Sequence, residues 1–238
     1  MATPTSPEHG SNKVARRAAT PVAGAIAGII FAVLFTVSMT ALRQTTGDVA
    51  NDTGAWLTED TGLVKFALAL VPFAGIAFLW FIAVARERLG RFEDQFFSTV
   101  FIGSGLLFLA MIFAAAAGAG AIVAAAANDP SGFASSTTYD YARQTVTQIL
   151  AVYALRMAAI FQLSQASLWL RTRVMPRWMA LITIVVALLL LFVFTQSWWV
   201  VLVFPAWVLL VSVYILAAQP GGRSGADVDG QGQVGSAP

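Results

Sequence analysis

The chain contains no cysteine. Disulfides, thiolate metal sites and cysteine nucleophiles are thereby excluded. Charge is scarce as well. Asp, Glu, Lys and Arg make up 11% of the 238 residues, against about 25% in soluble domains. The single histidine, His9, lies close to the N-terminus. There is no GxSxG, no HExxH and no lysine-bearing phosphate loop, the patterns that place a nucleophile, a zinc ion or a nucleotide. A general base at membrane depth needs Asp, Glu, His or Lys. The long apolar runs carry no Asp, Glu or His, and Lys65 stands at the edge of one. These absences argue against an enzyme, against a cofactor, and against proton or sodium coupling through buried carboxylates. The net charge of +2 is too small to imply nucleic acid, and the basic residues flank apolar runs.

Apolar length is what the chain has in quantity. Hydrophobic residues make up 58% of it. Six runs read as helices: Val22–Leu42, Leu63–Ala85, Phe96–Ala127, Thr145–Leu170, Trp178–Phe194 and Trp198–Ala218. The hydrocarbon core of a bilayer is about 30 Å thick and a helix rises about 1.5 Å per residue, so roughly 20 residues cross it. The expected fold is all-α, a polytopic membrane helical bundle of six transmembrane helices. Residues 1–20 and 219–238 are polar and rich in small residues. They read as disordered tails around one membrane domain, residues 21–218. Lys13, Arg16 and Arg17 resemble the start of a signal peptide, but the apolar run after them exceeds the about 7–15 residues of a cleaved one. It reads as a retained first helix. Gly24 and Gly28 form a GxxxG pair within it, which lets another helix come close. The run from Phe96 is too long for a perpendicular crossing and must tilt or project.

Orientation follows from the cations. Lys13, Arg16, Arg17, Arg86, Arg88, Arg91, Arg171, Arg173, Arg177 and Arg223 fall on the side of the N-terminus, and Arg43, Lys65 and Arg143 on the other. Such a bias places both termini in the cytoplasm. The outer loops are then Arg43–Gly62, Asn128–Arg143 and Thr195–Ser197. Trp80, Trp169 and Trp178 fall near the inner interface, and Trp198 and Trp199 near the outer one, as an aromatic belt would have them. The cytoplasmic basic loops, with Arg86, Arg88, Arg91, Arg171, Arg173 and Arg177, are expected to meet anionic headgroups of the lipid bilayer, at about 1 kcal/mol per cation.

One run breaks the apolar rule. Thr145–Leu170 carries Arg156 near its middle. A central arginine costs about 2.5 to 3.5 kcal/mol on insertion scales, and each Leu, Ile, Val or Phe returns only about 0.3 to 0.6. This helix therefore inserts poorly alone and depends on its neighbours. At about 100° per residue, Thr145, Tyr153, Ser164 and Ser167 fall on the Arg156 side, Gln148 borders it, and Gln165 lies opposite. The stripe reads as a buried, inward-facing surface, and the candidate polar site is Arg156, Gln148, Tyr153, Ser164 and Ser167. No expected span contains Asp or Glu. The expected partners of Arg156 are hydroxyls on other helices, a carbonyl freed by Pro72 or Pro205, a ligand anion or a lipid phosphate.

The Ala- and Gly-rich character of the spans and the charged turn RERLGRFEDQFF resemble those of uncharacterised small multi-pass integral membrane proteins of high-GC bacteria. The resemblance implies a helical bundle in the bacterial cytoplasmic (inner) membrane and supplies no activity. Two functions fit. The first is a structural or partner-binding membrane subunit, whose partner is another membrane protein or a second copy of the chain. The second is a small transporter or channel for an anion or amphiphile, using Arg156.

Overall fold

Apolar runs without internal water partners must satisfy their own backbone, and the helix is the local way to do so. In the computed structural model, residues 8–46, 54–89, 95–173, 175–192 and 198–218 are described, and the side chains of 8–21, 44–46, 87–89, 95–97 and 198 are left aside. The described residues form helices and no strand. In chain order these are α1 (Glu8–Thr46), α2 (Trp56–Glu59), α3 (Thr61–Leu89), α4 (Gln95–Ala125), α5 (Pro130–Ala134), α6 (Thr137–Gln148), a π segment (Ile149–Ala154), α7 (Leu155–Thr172), α8 (Arg177–Phe192) and α9 (Trp198–Ala217).

Among the described residues, five stretches are long and apolar enough to cross a membrane: Val22–Arg43, Thr61–Arg86, Ser98–Ala125, Thr137–Thr172 and Trp199–Ala217. This is the signature of a multi-pass membrane protein. The sixth apolar helix, α8, has 16 described residues, short of the roughly 20 that cross a bilayer perpendicularly. Residues 193–197 lie outside the described residues. So do residues 90–94 of the charged turn, Arg91 among them, and the C-terminal tail beyond Ala218.

The aromatic part of the core comes from five helices, and α8 adds Met179, Ala180 and Leu190 to it. Phe31 of α1 lies 4.7 Å from Phe78 of α3, Phe108 of α4 lies 4.6 Å from Phe204 of α9, and Phe101 of α4 stacks on Phe161 of α7 at 4.6 Å, centroid to centroid. Rings at such separations add about 0.5–1.5 kcal/mol per pair beyond burial. Small residues decide how close the helices come. A Cβ on Gly24 would strike Val84, and one on Gly28 would strike Ser212 and Phe81. The glycine pair is thus where α1 meets both α3 and α9. Ser38 adds a hydrogen bond from its hydroxyl to the Ala67 carbonyl, 2.7 Å.

Three features depart from the expectations. Residues 8–20 are helical in α1, where the composition suggested a disordered tail; Ala15, Ala18, Ala19, Lys13, Arg16 and Arg17 are all strong helix formers. The charged helix begins inside the expected second outer loop. Ser136 starts it at Thr137, its hydroxyl accepting from the Tyr139 amide at 3.2 Å, so one continuous helix runs from Thr137 to Thr172. At 36 residues it measures about 54 Å and overshoots the hydrocarbon core. Trp169, expected in the interfacial belt, is buried against Trp207 at 6.3 Å. Trp80, Trp178 and Trp199 are exposed, as belt residues are.

The two expected outer loops fold onto each other. Trp56 of α2 donates its indole N–H to the Tyr139 hydroxyl at 3.1 Å. Both rings are buried with Leu57, Val64, Ile122, Val123 and Ala126 in a second, smaller core. Gly54, at φ +73°, makes the turn into it, a backbone region that L side chains avoid. The result is a cap over one end of the bundle.

Candidate functional site

The site expected around Arg156 is built on an irregular stretch of helix. Six residues, Ile149–Ala154, take i→i+5 backbone bonds. Such π segments are rare and gather at functional positions. Arg156 stands just after it, half-buried, and its Nη1 donates to the Val152 carbonyl at 3.0 Å. That carbonyl belongs to the same helix and lies in the π segment.

The other candidates divide. Tyr153 is 58% exposed and Gln148 is exposed. Ser164 is buried and Ser167 half-buried, each donating to the carbonyl four residues earlier, at 2.9 and 2.8 Å. The Arg156 side of the long helix is thus exposed at Tyr153, part-buried at Arg156 and Ser167 and buried only at Ser164, where an inward-facing stripe was expected throughout. Two physical reasons account for this. Hydroxyls that bond back to their own helix need no partner inside the bundle. And in lipid the interface goes to the side where backbones come closest, which here carries Ala154, Ala158, Ala159 and Ala166, all fully buried. That face packs on α4 and α8.

The carboxamides that do lie inside are Gln165, which falls opposite Arg156, and Gln162. Gln162 is 0% exposed and Gln165 3%. Neither the Nε2 nor the Oε1 of Gln162, nor the Oε1 of Gln165, has a hydrogen-bonding partner in the protein. Trp207 of α9 donates its indole N–H to Thr183 Oγ1 of α8 at 2.9 Å, and Thr183 donates in turn to the Met179 carbonyl at 2.9 Å. The signal available in the sequence was a pair of carboxamides three residues apart on an alanine-rich face.

Four of the described arginines lie at the end opposite the cap, and Arg43, Lys65 and Arg143 at the capped end. Gly105 of α4 lies against Phe161 of α7, and Gly118 of α4 against Val146 of α6. The two helices are therefore antiparallel, and the C-terminal end of α7 is level with the start of α4. Arg86, Arg171, Arg173 and Arg177 are all exposed near this end. Arg173 closes α7 in the left-handed conformation, φ 53°. The side chain of Arg88 and all of Arg91 lie outside the described residues. Among the described residues no group of three His, Asp or Glu is placed to hold a metal ion. Compared with protein-family models, with curated proteins and with solved structures, the chain matches none.

Proposed function

We propose that the chain is a six-crossing integral protein of a bacterial cytoplasmic membrane that serves as a structural, partner-binding subunit. Its docking face is the outer side of the long helix around the π segment, and its occupant is a transmembrane helix of another membrane protein that offers hydrogen-bond acceptors at the same depth. The carrying observation is the exposure of Tyr153, 58%, beside half-buried Arg156, in mid-span on the side turned away from the core. Lipid tails offer the exposed Tyr153 hydroxyl no hydrogen bond, and a central arginine costs a span about 2.5 to 3.5 kcal/mol on insertion scales. A helix bearing a carboxylate or carboxamide removes that cost and complements the positive charge. The π segment fits the role, because it re-aims Tyr153 and Arg156 on one flank.

In this reading both termini are cytoplasmic and the cap faces outward. The exposed Arg86, Arg171, Arg173 and Arg177 then meet anionic headgroups of the inner leaflet. The alternative, a small transporter or channel for an anion or amphiphile, draws less support, since Arg156 is only part-buried and stands beside exposed Tyr153.

A photo-crosslinking amino acid at Tyr153, with a second at lipid-exposed Ile182 as control, tests the proposal in native membranes. The expected result is a discrete protein adduct from position 153 alone that disappears when Arg156→Leu is added. Lipid adducts at both positions, or a protein adduct indifferent to Arg156→Leu, would overturn it.

A further inference from the structure

We infer that Gln162 and Gln165 form an internal site that holds ordered water in the seam between α7, α8 and α9. The placement comes from three observations. Gln162 lies two turns before Trp169 on α7, so the two point the same way to within about 20°. Trp169 packs on Trp207 of α9, centroids 6.3 Å apart. Gln162 is therefore turned toward the seam that Trp207 fills. Trp207 is in turn bonded to Thr183 of α8, which brings the third helix to the same place. The short turn between Thr172 and Arg177 closes α7 and α8 into an antiparallel pair. Residues equally far from its middle lie level, which sets Ala187 level with Gln162 and Thr183 level with Ala166, the neighbour of Gln165. Thr183 and Ala187 are both 0% exposed, and Ala187 leaves the carboxamide room.

The chemistry of the groups selects the ligand. Gln162 brings two N–H donors and an acceptor oxygen, and Gln165 brings a second acceptor. None of these three atoms meets a protein partner. Thr183 Oγ1 gives one bond and takes one, and keeps one lone pair. Donors and acceptors are mixed, and no charge lies among them. An anion would face two carboxamide oxygens, and a cation the Nε2 hydrogens. Water both gives and takes, and buried waters commonly make about three hydrogen bonds to groups of this kind. A neutral hydrogen-bonding molecule is the class that fits, and water is its smallest member. Left dry, each of these atoms carries an unmet desolvation cost.

The test is a double-mutant cycle with methionine, which keeps the unbranched shape of glutamine and removes its hydrogen bonds. Shared water makes each carboxamide depend on the other. Gln162→Met and Gln165→Met should then each lower the Tm in detergent. The double variant should sit about 2–4 °C above the sum of the two shifts. A direct measurement on the unaltered protein accompanies it: a water-to-side-chain nuclear Overhauser effect at the Gln162 amide protons in detergent micelles, of the sign given by long-lived water. Single variants that each raise the Tm and add independently would overturn the inference. So would a Gln162 amide that shows no transfer from water.

Discussion

Thr183 acts as a relay inside the bundle. Its hydroxyl takes the Trp207 indole proton and passes its own to the Met179 carbonyl. Thr183→Val keeps the shape of the side chain and leaves the indole N–H without an acceptor. The expected loss is about 1–3 kcal/mol, the cost of a buried donor left unmet, read as a lower Tm in detergent, with Thr183→Ser recovering most of it. A valine variant as stable as the parent would show that the indole finds another acceptor. At this scale the sequence marked which residue was unusual better than where it pointed. Arg156 was legible, because an arginine inside an apolar run has one reading on any insertion scale. Its part-buried placement beside exposed Tyr153 was not, because serines that bond to their own helix mimic a polar interior face. Gln162 and Gln165 give a weaker signal for the converse reason: uncharged carboxamides cost less on those scales, yet they lie inward with the alanines.

Among the elements, five of the six expected spans were readable from apolar length alone, and one glycine-based meeting point from the GxxxG pair. Gly28→Ala is expected to force α1 off α9, since the added Cβ strikes Ser212 and Phe81. Overpacking of this kind costs about 1–3 kcal/mol. Adding Ser212→Ala to Gly28→Ala should recover part of the loss, because it removes the atom struck first. A double variant no better than the single would place the clash on Phe81. The start of α6 was less readable. It depends on a serine cap within a polar stretch that composition assigns to a loop. The cap built from α2, α5 and α6 was out of reach, because its pairing joins Trp56 to Tyr139 across 83 positions and no local pattern announces it. The interruption by the π segment was equally silent, since its residues are ordinary helix formers.

For the whole molecule, the arrangement has two unlike ends, a capped one and one that carries four of the described arginines. The absence of native cysteine makes their sidedness directly measurable. A cysteine at Ser135, exposed near the cap, should react with an impermeant thiol reagent in intact cells, and one at Arg173 should react only after the membrane is opened. The reverse pattern would invert the proposed orientation. The cap also sets an order of events during synthesis. Trp56 emerges 83 residues ahead of the tyrosine that receives its indole proton. At about 5–20 residues per second, that is roughly 4 to 17 s of waiting. For that interval its ring has only the lipid headgroup region or a chaperone to lean on. The cap closes only after α3 and α4 have been threaded between its halves, so its closure reports that the first half of the bundle has been delivered in the right order.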